Sequence, residues 1–205
     1  MDTQEHIIKE TSKLLQNVGP AAMTMDMVAK ACGISKRTLY ENFTDKRSLI
    51  KECLTQMHAK HISELNDVFR TSQNCFEALF RTYIKIREYL TSGASKRAEE
   101  VARMYPDLFE DHKKKEGIII GQLAKVLQKA QEEGHVIKLI NTKIAAFIFL
   151  SSIRNINDNE RISEYGLNRI EVFDGAFINF MRGVATISGI EFIDEIMKNN
   201  NNTLQ

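Results

Sequence analysis

The run Thr24 to Lys46, TMDMVAKACGISKRTLYENFTDK, constrains this chain more than any other stretch. Thr24 can cap a helix, because its hydroxyl can accept from a backbone N–H one turn on. Asp26 then falls in the first turn, where the helix dipole favours an anion. Met25, Val28, Ala29 and Cys32 recur at helical spacing and mark a buried stripe. Gly33 follows, and glycine tolerates the left-handed backbone that ends a helix. Ile34 plugs the angle, and Ser35 caps a second helix from Lys36 to about Asn42. The local expectation is two short helices joined by a tight turn.

The second helix has two faces. Leu39 and Phe43 are four apart and point inward. Lys36, Arg37, Thr38 and Tyr40 lie towards its N-terminal half and can point outward. A helix of this length fits a major groove about 12 Å wide. In a helix-turn-helix, the N-terminal residues of the second helix meet the base edges. Lys36 and Arg37 can donate to guanine, and Thr38 can touch a thymine methyl or a phosphate. Tyr40 offers a phenolic donor to a phosphate, and Thr24 is placed to hold another. Thr44 can cap the next helix, with Lys46 in its first turn as a phosphate clamp.

Each of these residues alone also fits a small helical core with a solvated charged face. The caps, the turn glycine and the outward cations, all in register, do not. The matching residues Thr24, Val28, Ala29, Ala31, Gly33, Ile34, Ser35, Thr38, Leu39, Tyr40, Phe43, Lys46 and Leu49 make Ile7 to Leu54 resemble the DNA-binding domain of the tetracycline-repressor-like (TetR) family. The resemblance implies a three-helix head whose first helix runs from about Thr3 to Asn17 and ends at Gly19. Ile7, Ile8, Thr11, Leu14, Leu15 and Val18 would be its packing stripe. Two departures stand out: Cys32 replaces the usual Ala before the turn glycine, and Arg37 replaces a small residue two before Leu39. Arg37 adds a cation, so the operator sequence cannot be borrowed from a relative.

The 205 residues allow one domain or two modest ones. Only two prolines occur and alternating strand-like runs are scarce, so the expected fold is all-α, with about nine helices. Residues 1–47 are expected to form the DNA-binding head, 48–198 a helical bundle for effector binding and dimerisation, and 199–205 a disordered tail. Net charge is only +1, but from Lys30 to Lys51 six cations stand against two anions. That local patch suits sequence-specific DNA reading better than general polyanion binding. Cys32, Cys53 and Cys75 are widely spaced and show no metal-ligand pattern, so they read as small buried hydrophobes in a reducing compartment. Met1 to Glu10 has no apolar core region of the kind a signal peptide carries. The longest apolar run, Ile144 to Leu150, is far short of the roughly 20 residues of a membrane span. A cytoplasmic location without membrane contact is expected.

Beyond the head, a long helix is expected from Lys46 to about Arg70, then a polar break and a helix from Cys75 to about Thr91. Thr91 to Ser95 reads as a loop. A short helix from about Lys96 to Met104 ends before Pro106. The next runs from Asp107 to about Glu133 and stops at Gly134. Asn141 caps a helix reaching about Asn155, whose apolar run needs cover on both sides. Asn155 to Gly166 reads as a polar break. A last major helix covers about Leu167 to Ser188. Gln131 to Ile137 and the helix after it also resemble the same family, in outline.

No catalytic grouping rises above background, so the chain is not expected to be an enzyme, and no cofactor is implied. His58, His61 and Glu64 share a helix face, as do His112 and Glu116, but such spacing is common on solvated helices, and no metal site is expected. Relatives of this fold bind a small effector inside the second domain. By that resemblance the pocket would include Met57, His61, Phe80, Tyr83, Ile84, Arg87, Met104, Tyr105, Phe109 and Leu123. Those residues describe a largely apolar cavity, and they equally describe a core.

Ile144, Phe147, Ile148, Phe173, Phe177, Met181 and Val184 supply more apolar surface on two late helices than one core requires. They are expected to form a four-helix interface with a second copy. The resemblance implies a homodimeric regulator, more readily a repressor, that holds a palindromic operator in double-stranded DNA and is released by a small, largely apolar effector of unknown identity. The alternative is a dimeric DNA-associated adaptor that recruits a protein partner and has no effector.

Overall fold

The structure is a computed structural model that describes residues 2–156 and 159–200. The described residues are all-α: the backbone outside helices pairs only in one antiparallel bridge, Val136 with Ala185. In chain order the helices are α1 (Thr3–Ala22), α2 (Met25–Cys32), α3 (Lys36–Asn42), α4 (Lys46–Thr71), α5 (Cys75–Thr91) and α6 (Gly93–Met104). A 3-10 turn (Pro106–Phe109) leads to α7 (Glu110–Glu132), α8 (Thr142–Asn155), α9 (Asn159–Glu164), α10 (Arg169–Val184) and α11 (Ile187–Asn200).

The described chain divides into two compact units. The first takes residues up to Asp67 together with Tyr89–Lys113, and the second takes Val68–Glu88 with the described residues from Lys114 on. In the first unit, Ile7, Val28, Leu39, Leu49, Ile50 and Cys53 are fully excluded from solvent, and Ile8, Leu15 and Phe43 nearly so. Their spacing on α1 to α4 is the helical period expected of one-sided packing. Val101 closes this core, and Tyr105, Leu108 and Phe109 pack against it. The buried Thr11 hydroxyl is satisfied locally, donating to the Ile7 carbonyl at 2.7 Å.

The second unit is built on aromatic contacts. Tyr83 stacks on Phe177 with ring centroids 4.2 Å apart, and Phe80 meets Phe177 edge-on at 5.1 Å. Phe76, Phe80 and Phe173 are almost wholly buried. The segment after α7 and the segment after α10 are sewn together. Ile137 N–H donates to the Val184 carbonyl, Thr186 N–H to His135, and the Thr186 hydroxyl to the Gly134 carbonyl. Gly189 lies so close beneath that a Cβ there would overlap the His135 carbonyl oxygen.

Several boundaries differ from expectation, each for a local reason. Gly19 has φ 79°, which kinks the first helix, and helical backbone resumes to Ala22. The Thr91 to Ser95 loop shrinks to Ser92, whose hydroxyl accepts from Ala94 N–H and starts α6 at Gly93. Pro106 opens a 3-10 turn before α7, so the expected helix from Asp107 starts later. The expected polar break after Asn155 contains α9. The helix expected to reach Ser188 ends at Val184, because Ala185 is extended and pairs with Val136. Thr186 then accepts from Gly189 N–H and begins α11, which reaches Asn200 where a frayed tail was expected. These elements bring the helix count to eleven among the described residues, against about nine expected. Residues 201–205 of the expected tail lie outside the described residues.

Candidate nucleic-acid interface

The bend between α2 and α3 forms as its residues dictate. Thr24 accepts from Met27 N–H at 3.2 Å and starts α2. Gly33 ends it at φ 66°, ψ 29°, while Ile34 N–H returns to the Ala29 carbonyl at 3.1 Å. That closure is the glycine C-cap. Ser35 then accepts from Thr38 N–H at 3.0 Å, which starts α3 two residues after the turn. Leu39 is wholly buried and Phe43 is 8 % exposed, so the inward face is anchored.

The opposite face is solvated and charged. Lys36 and Arg37 are exposed, and Tyr40 is half exposed. Lys36 Nζ pairs with Asp26 Oδ2 at 2.7 Å, and Arg37 Nε donates to Glu41 Oε1 at 2.9 Å. Thr38 is partly buried, its hydroxyl 2.9 Å from that of Ser35. Asn42 donates to the Thr38 carbonyl at 2.8 Å and braces the last turn of α3.

At the start of α4 the cap is Asp45, where Thr44 was expected. The Asp45 carboxylate accepts from Ser48 N–H at 2.6 Å, and that hydrogen bond holds its carboxyl below the usual range. Thr44 instead donates its hydroxyl to Ser48 Oγ. A carboxylate outcompetes a hydroxyl here because a charge-assisted bond at a helix N-terminus is the stronger one. Lys46 sits in the first turn, and partial burial pulls its ammonium below the usual lysine range. Arg47 is paired with Asp107.

The residues named for an effector pocket fall in both units: Met57, His61, Met104, Tyr105 and Phe109 in the first, Phe80, Tyr83, Ile84, Arg87 and Leu123 in the second. Met57, His61 and Met104 are exposed, whereas Phe80 and Tyr83 are core. Tyr83 and Arg87, both named for that pocket, are engaged with Asp174. The Tyr83 hydroxyl donates to Asp174 Oδ1 at 2.6 Å and Arg87 Nε to Oδ2 at 3.0 Å. Burial, with that carboxylate alongside, raises the Tyr83 phenol well above its ordinary range. A crevice of about 290 Å³ does occur in the second unit, but other residues line it: Phe69, Ser72 to Cys75, Ala78, Lys125, Val126, Lys129 and Glu133.

The residues named for a dimer face separate as well. Ile144, Phe147 and Ile148 are 57 %, 54 % and 57 % exposed, so one side of α8 is apolar and uncovered by the rest of its own chain. Phe173, Phe177, Met181 and Val184 are buried within the second unit, against Phe80, Tyr83 and their neighbours. No three His, Cys, Asp or Glu side chains among the described residues gather as a metal site, and the side chains of His112 and Glu116 lie outside those residues. No described helix is long and apolar enough to cross a membrane.

Residues 7–53 match the family model for bacterial regulatory proteins of the tetR family. Those residues form a TetR-family DNA-binding head, and the chain is a DNA-binding transcriptional regulator. It is 24 % identical over 155 residues to an uncharacterized HTH-type transcriptional regulator, YhgD, of Bacillus subtilis, covering 73 % of this chain and 80 % of that one. Its fold is similar to that of Escherichia coli NemR in reduced form, at TM-score 0.66 and 16 % identity over 90 % of this chain and 98 % of that one. It is similar to a TetR transcription regulator from Haloarcula marismortui at TM-score 0.67 and 17 % identity, over 90 % and 99 %. This is a family of transcription regulators, not of enzymes.

Three residues that organise the TetR-family head carried weaker signals in sequence. Glu41 stands four after Arg37, a spacing that announces a helix-surface pair. Asp45 stands three before Ser48, a capping spacing that Thr44 obscured. Asp26 was legible as a first-turn anion, but its pairing with Lys36 depends on the angle between two helices.

Proposed function

We propose that this regulator works as a homodimeric repressor in the cytoplasm, holding a palindromic operator until a small, largely apolar effector releases it. The observation that carries this reading is the outward presentation of Lys36 and Arg37 on a capped helix whose opposite side, Leu39, is buried. Lys36, Arg37 and Thr38 read bases or the backbone beside them, and Thr24, Tyr40 and Lys46 hold phosphates, with Ser35 fixing the start of the reading helix. The bare Ile144, Phe147 and Ile148 face of α8 supplies the apolar surface for a second copy. Two heads then meet two half-sites about one duplex turn apart. Release is a population shift, in which the effector must favour a head spacing that does not fit DNA.

Footprinting on the DNA upstream of the protein's own coding sequence, with and without metabolite extracts, tests this. A two-fold symmetric protected site that an extract abolishes is the expected result. Protection that is asymmetric, or absent at every concentration, overturns it. Symmetric protection that no extract affects would favour the adaptor reading, in which a protein partner takes the effector's place.

A further inference from the structure

The outermost edge of α3 carries a cation and an anion bound to each other. Leu39 defines the inward side. Arg37 and Glu41 stand two residues before and two after it, so at about 100° per residue both lie near the edge facing away from the core. The side chains are 88 % and 57 % exposed, and Arg37 Nε donates to Glu41 Oε1 at 2.9 Å. The other cation of α3, Lys36, is turned towards α2 and Asp26.

An acid on this edge is costly for a general DNA binder. It faces a polyanion at closest approach and opposes the cations that release counterions. What it does geometrically is commit one edge of the guanidinium. With Nε donating to Glu41, the two terminal nitrogens of Arg37 remain, and they form a planar fork pointing away along the side chain. That end-on fork matches guanine O6 and N7 in the major groove. The carboxylate finds only acceptors at guanine O6 and N7 and at thymine O4, and it tolerates only base amino groups.

We propose that Glu41 is a specificity-determining residue for the DNA reading above, on which this inference rests. It splints Arg37 end-on to one guanine per half-site, and its charge weakens binding wherever that guanine is missing. The plain alternative is a solvated pair that merely props a seven-residue helix.

Selection of duplexes from a random pool, followed by titration of the selected and a scrambled duplex, separates the two. The variants are Glu41→Gln, Glu41→Ala, Arg37→Ala and the double variant Arg37→Ala with Glu41→Gln. Glu41→Gln is expected to bind the scrambled duplex about threefold more tightly, because a negative charge is lost. Its discrimination at one base position per half-site should fall about tenfold. Arg37→Ala should erase preference at that same position, and adding Glu41→Gln should erase nothing more there. Circular dichroism should be unchanged throughout. Tighter binding to every duplex with base preferences intact overturns the proposal, and so does a parallel loss on both duplexes with an earlier melt. If the wild-type chain enriches a site and Glu41→Gln enriches the same one equally sharply, only this inference falls. If the wild-type chain enriches nothing, the DNA reading falls and takes this inference with it.

Discussion

Lys36 Nζ lies 2.7 Å from Asp26 Oδ2, so the first residue of α3 is tied to the first turn of α2. Both side chains are more than 60 % exposed, and exposed pairs contribute about 0–1 kcal/mol. Asp26→Asn should therefore change the Tm of the head little. It should free Lys36 for phosphate and raise affinity for any duplex about two- to fivefold at low salt, with the gain fading as salt rises. Affinity titrations at several salt concentrations check this, and a large loss of Tm would show that the pair fixes the helix angle.

Lys46 has no ion-pair or hydrogen-bond partner among the described residues and stands at a helix start. Lys46→Ala should weaken binding to every sequence alike and flatten the slope of log affinity against log salt by about one unit per head. Arg37→Ala should instead relax preference at one base position. Equal losses on every duplex from both variants would refute this division of labour.

Two glycines predict different penalties. At Gly33 nothing lies within 4 Å of an added Cβ, so only its φ of +66° matters. Gly33→Ala should cost about 1–2 kcal/mol, felt as a lower Tm and weaker operator binding. At Gly189 an added Cβ meets backbone at His135, which cannot swing away as a side chain would. Gly189→Ala should destabilise by more, about 2–4 kcal/mol, or push α11 off its seat. Chemical denaturation of both variants gives the comparison.

The bare α8 face and the buried α10 face predict opposite phenotypes. Phe147→Asp should leave the helical content intact and convert a dimer to monomer in sedimentation, with loss of operator affinity. Phe177→Ala removes a ring packed on Tyr83 and Phe80, and should cost about 3–5 kcal/mol of stability. A Phe147→Asp chain that remains dimeric would move the interface off α8.

Burial pushes the Cys53 thiol up to about 11, from the 9.0 of a free thiol. The folded head therefore favours the neutral thiol. That contribution is complete below the free-thiol value and is lost as pH rises through about 11, to a total of roughly 2–3 kcal/mol. Cys53→Ala should accordingly lose less Tm than the wild type between about pH 9 and 11. Burial likewise raises Cys32 and Cys75, so all three thiols should react slowly with alkylating reagents at neutral pH.

The head was legible because its decisive interactions are short in sequence. Thr24 to Met27, Ser35 to Thr38 and Ile34 to Ala29 each close within five residues. Cap chemistry and helical spacing therefore specify them without knowledge of the rest of the chain. Asn141 is another such case: it accepts from Lys143 and Ile144 N–H and starts α8 where its side chain foretold. The amount of apolar surface on α8 and α10 was also readable in advance.

What covers that surface was not. The period of α10 shows that Phe173, Phe177 and Met181 share a stripe, but a stripe looks the same whether a second copy or the chain's own aromatics lie against it. Only the fold put Phe80 and Tyr83 there. The same holds for Tyr83 and Arg87, which meet Asp174 from some ninety positions away along the chain. Likewise the end of α10 depends on Ala185 meeting Val136. Local hydrogen bonds and helical period are written in neighbouring residues, so they can be read one turn at a time. Pairings across the bundle depend on how the helices lie against one another, and no short stretch of residues contains that.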